Sequence, residues 1–466
     1  MKYISTRGRA PHLSFDDVVL TGLGRDGGLY VPAVWPQVDM ATWHRWRGLG
    51  YADLGAEVMR LFVGDSMTHD DLAAIWHAAI SRFRHSAVAP LKQLDHNLFL
   101  LELFHGPTLA FKDYALQILG GLFVHILAQR QERITVVGAT SGDTGSAAIE
   151  ACRDREGVDI FMLFPKGRVS PVQQRQMTTV TSGNVHCIAI EGTFDDCQDL
   201  VKAMFNDHSF CDSVHLSAVN SINWARILSQ TVYTIWAGLH LGAPQRSFRV
   251  AVPTGNFGNV FSAYVAQRMG LPVVHFGVAS NANDILARYF QSNDMSMSDV
   301  VPTLSPSMDI QISSNFERYL FDCMGDDGHG LADIMRNFRA QGKMTLPHDL
   351  WQKSRESFSG YALDDQATLA TIREWYEQSG EVLDPHTAIG VAQAASWQDR
   401  DVPTVAMATA HPAKFPDAIA QAIGQHVPLP SFLSDLLTRE ERLTLLPNDL
   451  ATVQSHIRHH TTGNHS

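Results

Sequence analysis

The stretch HGPTLAFKDYALQILGGLF, which begins at His105, sets Lys112 inside an apolar entry into a helix. A lysine usually keeps its ammonium in water, and burial of the stem alone is the plain reading of such a position. Here Leu109 and Phe111 stand beside it, and the apolar run that follows predicts a helix starting right after the lysine. Apolar neighbours desolvate the ammonium, and the positive end of a helix opposes its charge, so both lower its pKa. A fall of about 3 units from ~10.4 makes a lysine a usable nucleophile and a general base at neutral pH.

Three other stretches offer partners for that amine. VAVPTGNFGNVFSA places Gly255, Asn256, Phe257, Gly258 and Asn259 between a strand and a helix start. Glycines let several backbone N–H groups turn toward one point, and the helix end adds positive potential, so the loop suits a phosphate. Its spacing is neither that of a P-loop nor GxGxxG, and Asn259 fits equally well as a simple N-cap. GATSGDTGSAA puts Thr140, Ser141, Gly142, Asp143 and Thr144 at the carboxyl end of a strand, where open α/β sheets bind ligands. These hydroxyls and amides suit a carboxylate, and Ser141 or Asp143 equally suits a helix cap. In MATAHPAKF, Thr409 ends a strand, where its hydroxyl meets a cofactor ring or merely turns the chain. A desolvated lysine beside a phosphate cradle points to a Schiff base with pyridoxal phosphate.

The elements that must carry these residues follow from the pattern of apolar runs. NLFLLELF, RITVVGA, VDIFMLFP, VHCIAIEG, SFRVAVP, PVVHFGVAS and PTVAMAT read as buried strands, several alternating with helices. That rhythm predicts parallel strands joined by crossovers, an α/β class. An N-terminal region over 1–90 reads as loops and short strands followed by helices. A catalytic region over 95–430 carries a helical insertion at about 290–400, and 431–466 reads as a tail, polar and frayed at QSHIRHHTTGNHS.

The 466 residues are 45% hydrophobic and 18% charged, enough to bury a large core and too apolar for long disorder. A net charge of −12 disfavours nucleic acid and anionic membrane. Five cysteines without a CxxC pair exclude a disulfide framework and a structural zinc site, and no metal is expected. No apolar run is long enough for a membrane span. A soluble, cytoplasmic protein is the expectation.

Taken together, YISTRG, DGGLYVP, FHGPTLAFKDYALQ, GATSGDTGSAA, FPKGRVSPVQQRQM, NSINWARI, PTGNFGNV, SPSMDIQISSNFER, DPHTAIG and TAHPAKFPDAI, in this order and over nearly the whole chain, resemble the threonine synthase family. The resemblance implies fold type II of the pyridoxal-phosphate enzymes, the tryptophan-synthase-β-like class, in its longer fungal and bacterial branch. It implies that Lys112 bonds the cofactor, that Gly255, Asn256, Phe257, Gly258 and Asn259 hold its phosphate, and that Thr409 meets its ring nitrogen. It implies that Ser141, Gly142, Asp143 and Thr144 hold the substrate carboxylate, though the place of Asp143 is often Asn in relatives. Lys166, Asn223 and Arg226 are its candidates for the substrate phosphate, with structural ion pairs as the plain alternative. Asp113 and His105 beside the lysine read better as a helix cap and a hydrogen-bonded support than as acid or base, and Asp384-Pro385 reads as an N-cap with its first turn.

The activity implied is conversion of O-phospho-L-homoserine and water to L-threonine and phosphate, by a monomer or weak homodimer. Two alternatives remain at this stage. One is a related pyridoxal-phosphate phospho-lyase or dehydratase acting on phosphorylated hydroxy-amino acids. The other is a non-catalytic phosphate- or nucleotide-binding protein, which has no use for Lys112 and Thr409 together.

Overall fold

The computed structural model describes residues 1–397, 399 and 401–462. Its chain divides into two units that interleave along the sequence. The first comprises Met1–Val18, Leu23–Ala115 and Ser221–Val427. The second comprises Val19–Gly22, Leu116–Asn220 and Pro428–Ser466.

The first unit is built on a six-stranded sheet. Its order is Phe358–Ala362, Val273–Ser280, Phe248–Pro253, Thr404–Ala408, Leu98–Glu102 and Leu91–Asp95. Every neighbouring pair is parallel except the last, a hairpin. Thr404–Ala408 is buried at each position, as expected for a central strand covered on both faces. The helix Pro385–Ser396 supplies part of that cover, packing Ala388, Val391 and Ala394 with Ala251 and Ala406. The N-terminal region adds the antiparallel pair Tyr3–Ser5 with Tyr30–Pro32 and the helices Met40–Trp46, Tyr51–Val63 and His69–Ile80.

The second unit holds a five-stranded sheet in the order Thr444–Pro447, Val185–Glu191, Val158–Pro165, Ile134–Ala139 and Leu216–Ser217, all parallel. Both sheets follow the expected α/β reading of parallel strands flanked by helices.

Two stretches differ from the sequence reading. Residues 290–400 contain the expected helices, but Phe358–Ala362 is an edge strand of the main sheet, in register with Phe276–Ser280. Its FSGYA sequence, between charged helices, lacks the β-branched run that marks the other strands. The C-terminal stretch is folded as far as it is described. Thr444–Pro447 joins the second sheet and Leu450–Thr462 is a helix, with Val453 and Ile457 buried against Phe161, Leu163 and Cys197. Two buried apolar residues one turn apart anchor it, with Leu450 packed alongside, although most of its other positions are polar. Residues 463–466 of the tail lie outside the described residues.

Ile457→Ala removes a fully buried side chain from this core. It is expected to cost about 2–5 kcal/mol in urea or thermal unfolding. A frayed tail would show a change of less than ~0.5 kcal/mol.

Candidate active site

Lys112 opens the helix Lys112–Arg130, and its place is set by main-chain pairing. Ala110 bridges Ala410 in antiparallel fashion. The Phe111 N–H donates to the Thr409 carbonyl at 2.9 Å, and the His411 N–H donates to the Leu109 carbonyl at 3.0 Å. Leu109 is held at φ +62°, a left-handed conformation uncommon for a branched side chain. This turn delivers Lys112 beside Thr409 at the end of the central strand. Thr409 is itself fixed, because its N–H donates to Thr387 Oγ1 at 3.1 Å. The Thr387 hydroxyl donates in turn to Asp384, which caps the helix Pro385–Ser396 as the sequence suggests.

Lys112 is 8% exposed. Its Nζ lies 3.5 Å from Ser307 Oγ and 5.2 Å from the centre of the Phe111 ring. The main chain of Ser307 also abuts the glycine loop. A Cβ on Gly255 would come within 2.9 Å of the Ser307 carbonyl oxygen and 3.3 Å of Met308 Cα. Only glycine permits this approach, so one residue touches both the lysine and the loop.

The loop leads into the helix Gly258–Arg268. Asn259 is not its cap. That position falls to Phe257, at φ +59° and with no side-chain hydrogen bond to the helix end. Phe257 is pinned there by rings, including Phe316 at 5.2 Å edge-on. First-turn N–H groups of a helix have no intrahelical partner, so this end is an anion site in waiting. Asn259 Oδ1 accepts from the Tyr233 hydroxyl at 2.7 Å, while its buried Nδ2 has no protein partner.

Tyr233 lies on the helix Trp224–His240, which carries Arg226 in its first turn. Arg226 is 4% exposed, and its Nε and Nη1 have no hydrogen-bond partner. Burial pulls the guanidinium down to about 10, with Tyr233 opposing the shift. Asn223 is the N-cap of that helix, its Oδ1 accepting from the Ala225 N–H at 2.9 Å.

The neighbours of the lysine have structural partners. Asp113 accepts from the Thr108 N–H at 2.8 Å and its hydroxyl at 2.7 Å, stapling the loop before the helix rather than capping an end. The Lys414 ammonium, fully buried, donates to the Thr108 carbonyl at 2.8 Å. His105 Nε2 pairs with Glu102 Oε2 at 2.7 Å. His411 is driven down to about 4, first by burial and then by the charge of His105. It is therefore neutral at physiological pH, and its Nδ1 accepts from the Ala413 N–H.

In the second unit, Thr140 rather than Ser141 or Asp143 organises the turn. Its Oγ1 accepts from the N–H groups of Gly142 at 3.0 Å and Gly145 at 2.9 Å. Gly142 sits at φ +154°, and a Cβ there would strike the Gln173 carboxamide at 2.4 Å. Asp143 Oδ1 accepts from Gln173 Nε2 at 2.9 Å. Ser141 and Thr144 share this turn at the start of the helix Asp143–Cys152. Lys166 is exposed and 3.7 Å from an equally exposed Glu191, the geometry of a surface ion pair.

Residues 2–80 match the family described as the threonine synthase N terminus, 84–336 that of pyridoxal-phosphate dependent enzymes, and 387–457 that of the threonine synthase C-terminal region. Over 462 residues the chain is 53% identical to the threonine synthase of Pseudomonas aeruginosa, covering 99% of this chain and 98% of that protein. The chain belongs to the threonine synthase family. A crystal structure of threonine synthase from Brucella melitensis with pyridoxal phosphate bound matches at a TM-score of 0.97 and 51% identity, over 99% of each chain. The yeast threonine synthase structure matches at 0.93 and 38% identity, also over 99% of each.

Pyridoxal phosphate is the cofactor of this family, and the first unit fits it. The uncapped helix end at Phe257, the close backbone approach at Gly255 and the unpartnered Asn259 amide form a cradle for a phosphate. A buried amine lies one residue away through Ser307. Ser307, Thr387, Asn315 and Arg318 were not singled out from sequence, although all four sit inside the motifs SPSMDIQISSNFER and DPHTAIG.

A buried cation with donor groups left unpaired destabilises the fold. With its pKa held at about 10, Arg226 stays charged at neutral pH, and the penalty is present there in full. Arg226→Met is expected to leave thermal stability unchanged or raised in phosphate-free buffer. Inorganic phosphate should then raise the melting temperature of the wild-type protein and not that of the variant.

Proposed function

We propose that the chain converts O-phospho-L-homoserine and water to L-threonine and inorganic phosphate. The observation that carries this reading is the buried Lys112 amine against Ser307, whose main chain packs on the Gly255 loop. Bound there, pyridoxal phosphate supplies an electron sink for negative charge at the substrate Cα. Gly255, Asn256, Phe257, Gly258 and Asn259 hold its phosphate through main-chain amides, and Thr409 is the partner of its ring nitrogen. A hydroxyl brings no negative charge to that nitrogen, so the sink is weaker than one facing an aspartate, which suits elimination and replacement over transamination.

Lys112, once free, takes the proton from Cα as general base. Loss of a proton at Cβ breaks the Cγ–O bond and expels phosphate; a proton then adds at Cγ, the double bond moves to Cα–Cβ, and water places its hydroxyl on Cβ as a proton returns to Cα. The amine can return protons during the same sequence because it sits in a dry site. Ser141, Gly142, Asp143 and Thr144 bind the substrate carboxylate, with Gln173 orienting Asp143. Arg226 binds the substrate phosphate. Asn223 supports it by capping the same helix, and Lys166 is the further candidate for that phosphate.

The protein acts on a small molecule as a monomer or weak homodimer of the cytoplasm, without nucleic acid or membrane. The net charge of −12 supports this. Among the described residues no helix is long and apolar enough to cross a membrane.

Lys112→Ala is expected to lower turnover of O-phospho-L-homoserine by about 10²–10⁴-fold or more. Wild-type protein should release threonine and phosphate in equal amounts. Release of 2-oxobutyrate in place of threonine would identify a phospho-lyase instead, and undiminished turnover by the variant would remove Lys112 from the reaction.

A further inference from the structure

The glycine loop is held from behind. The Gly255 carbonyl accepts from the Ser313 hydroxyl at 2.7 Å. The Asn256 carbonyl accepts twice from Asn315, from its N–H at 3.1 Å and its Nδ2 at 2.9 Å. A trans peptide carries its carbonyl and the following N–H on opposite sides. Tying back the carbonyls of Gly255 and Asn256 therefore turns the N–H groups of Asn256 and Phe257 the other way.

The same Asn315 reaches a second helix. Its Nδ2 also donates to the Ser221 carbonyl at 3.0 Å. Arg318, fully buried, donates to Asn315 Oδ1, to the Ile222 carbonyl at 2.6 Å and to the Tyr30 carbonyl at 2.9 Å. Its guanidinium carbon lies 5.8 Å from the Trp224 ring. Ser221 and Ile222 run directly into Asn223, the cap of the helix that bears Arg226. Two residues one helical turn apart thus bind carbonyl oxygens on the approach to both helix N-termini.

We propose that Asn315 and Arg318 are positioning residues that hold the backs of two helix N-termini, at Gly258 and Trp224, so that their positive ends and the loop amides face one anion-binding region. The inference rests on the assignment of Gly255–Asn259 as the cofactor phosphate loop. It adds a requirement that assignment does not contain. Carbonyl oxygens at 221, 222, 255 and 256 carry partial negative charge, and left unbound they could rotate toward the phosphate. Asn315 and Arg318 keep three of the four turned away and Ser313 keeps the fourth.

The test is the affinity of the resolved protein for pyridoxal phosphate, followed by absorbance and by the ³¹P resonance of the bound cofactor. Asn315→Asp keeps the shape and the acceptor for Arg318 while losing both Nδ2 donations, and Asn315→Ala loses them without adding charge. Both are expected to raise the dissociation constant at least about tenfold, equivalent to ~1.4 kcal/mol, and to shift the ³¹P resonance. Thr6→Val is the control. It breaks the 2.8 Å bond from the Thr6 hydroxyl to Glu317, next door on the same helix, and touches no loop carbonyl. Its affinity should stay within about twofold of wild type. Wild-type affinity in both Asn315 variants, or an equal loss in Thr6→Val, would overturn the inference. A wild-type protein that binds no pyridoxal phosphate overturns the loop assignment itself, and this inference with it.

Discussion

A buried guanidinium whose Nε and Nη1 have no protein acceptor is the constraint around which the first unit is arranged. Arg226 carries its charge at neutral pH, since burial lowers its pKa only to about 10. Protein interiors keep charges only where something answers them. The surroundings of Arg226 add to the same sign: two helix N-termini, one of them uncapped, and the unpartnered amide of Asn259. Such a region is unfavourable for the empty fold and favourable for a dianion. Phosphate chemistry supplies that dianion twice in the proposed reaction, on the cofactor and on the substrate.

The Lys112 amine is placed by different means. Pairing of Leu109–Phe111 with Thr409–His411 sets Lys112 and Thr409 side by side, and Ser307 connects the lysine to the glycine loop. Both arrangements are anchored in rigid main chain. The central parallel strand ends at Ala408, one residue before Thr409, and the loop follows the next strand of the same sheet. The flanking ionisable groups then read as support. Asp113 and Lys414 both hold Thr108, and His105 holds Glu102. A base that must accept a proton gains from neighbours already committed elsewhere, because they do not compete for it.

Much of the fold and of the proposed site was legible in the sequence where the residues are consecutive. Lys112 stood out as a lysine in apolar company, and Gly255–Asn259 as a glycine turn between strand and helix. The strands were legible because a buried parallel strand is a nearly continuous apolar run. What escaped was set by contacts far apart in the chain. Nothing local to Asn315 says that its amide binds residue 256 on one side and 221 on the other. The edge strand Phe358–Ala362 lacks the apolar run because it has only one neighbour. The helix Leu450–Thr462 looks polar because its fully buried side chains are only Val453 and Ile457 among the described residues, while polar residues such as Gln454 and His460 also pack inward. Lys166 shows the reverse case: a motif lysine whose side chain lies on the surface beside Glu191.

The central claim is that the Lys112 amine bonds the cofactor, and borohydride reduction followed by peptide mapping tests it most directly. Reduction fixes a lysine-bound cofactor permanently, so the account predicts a single pyridoxyl-labelled peptide spanning Lys112, obtained from coloured protein that bleaches on treatment. Label on another lysine, Lys414 included, or colourless protein that takes up no label after incubation with pyridoxal phosphate, would contradict it.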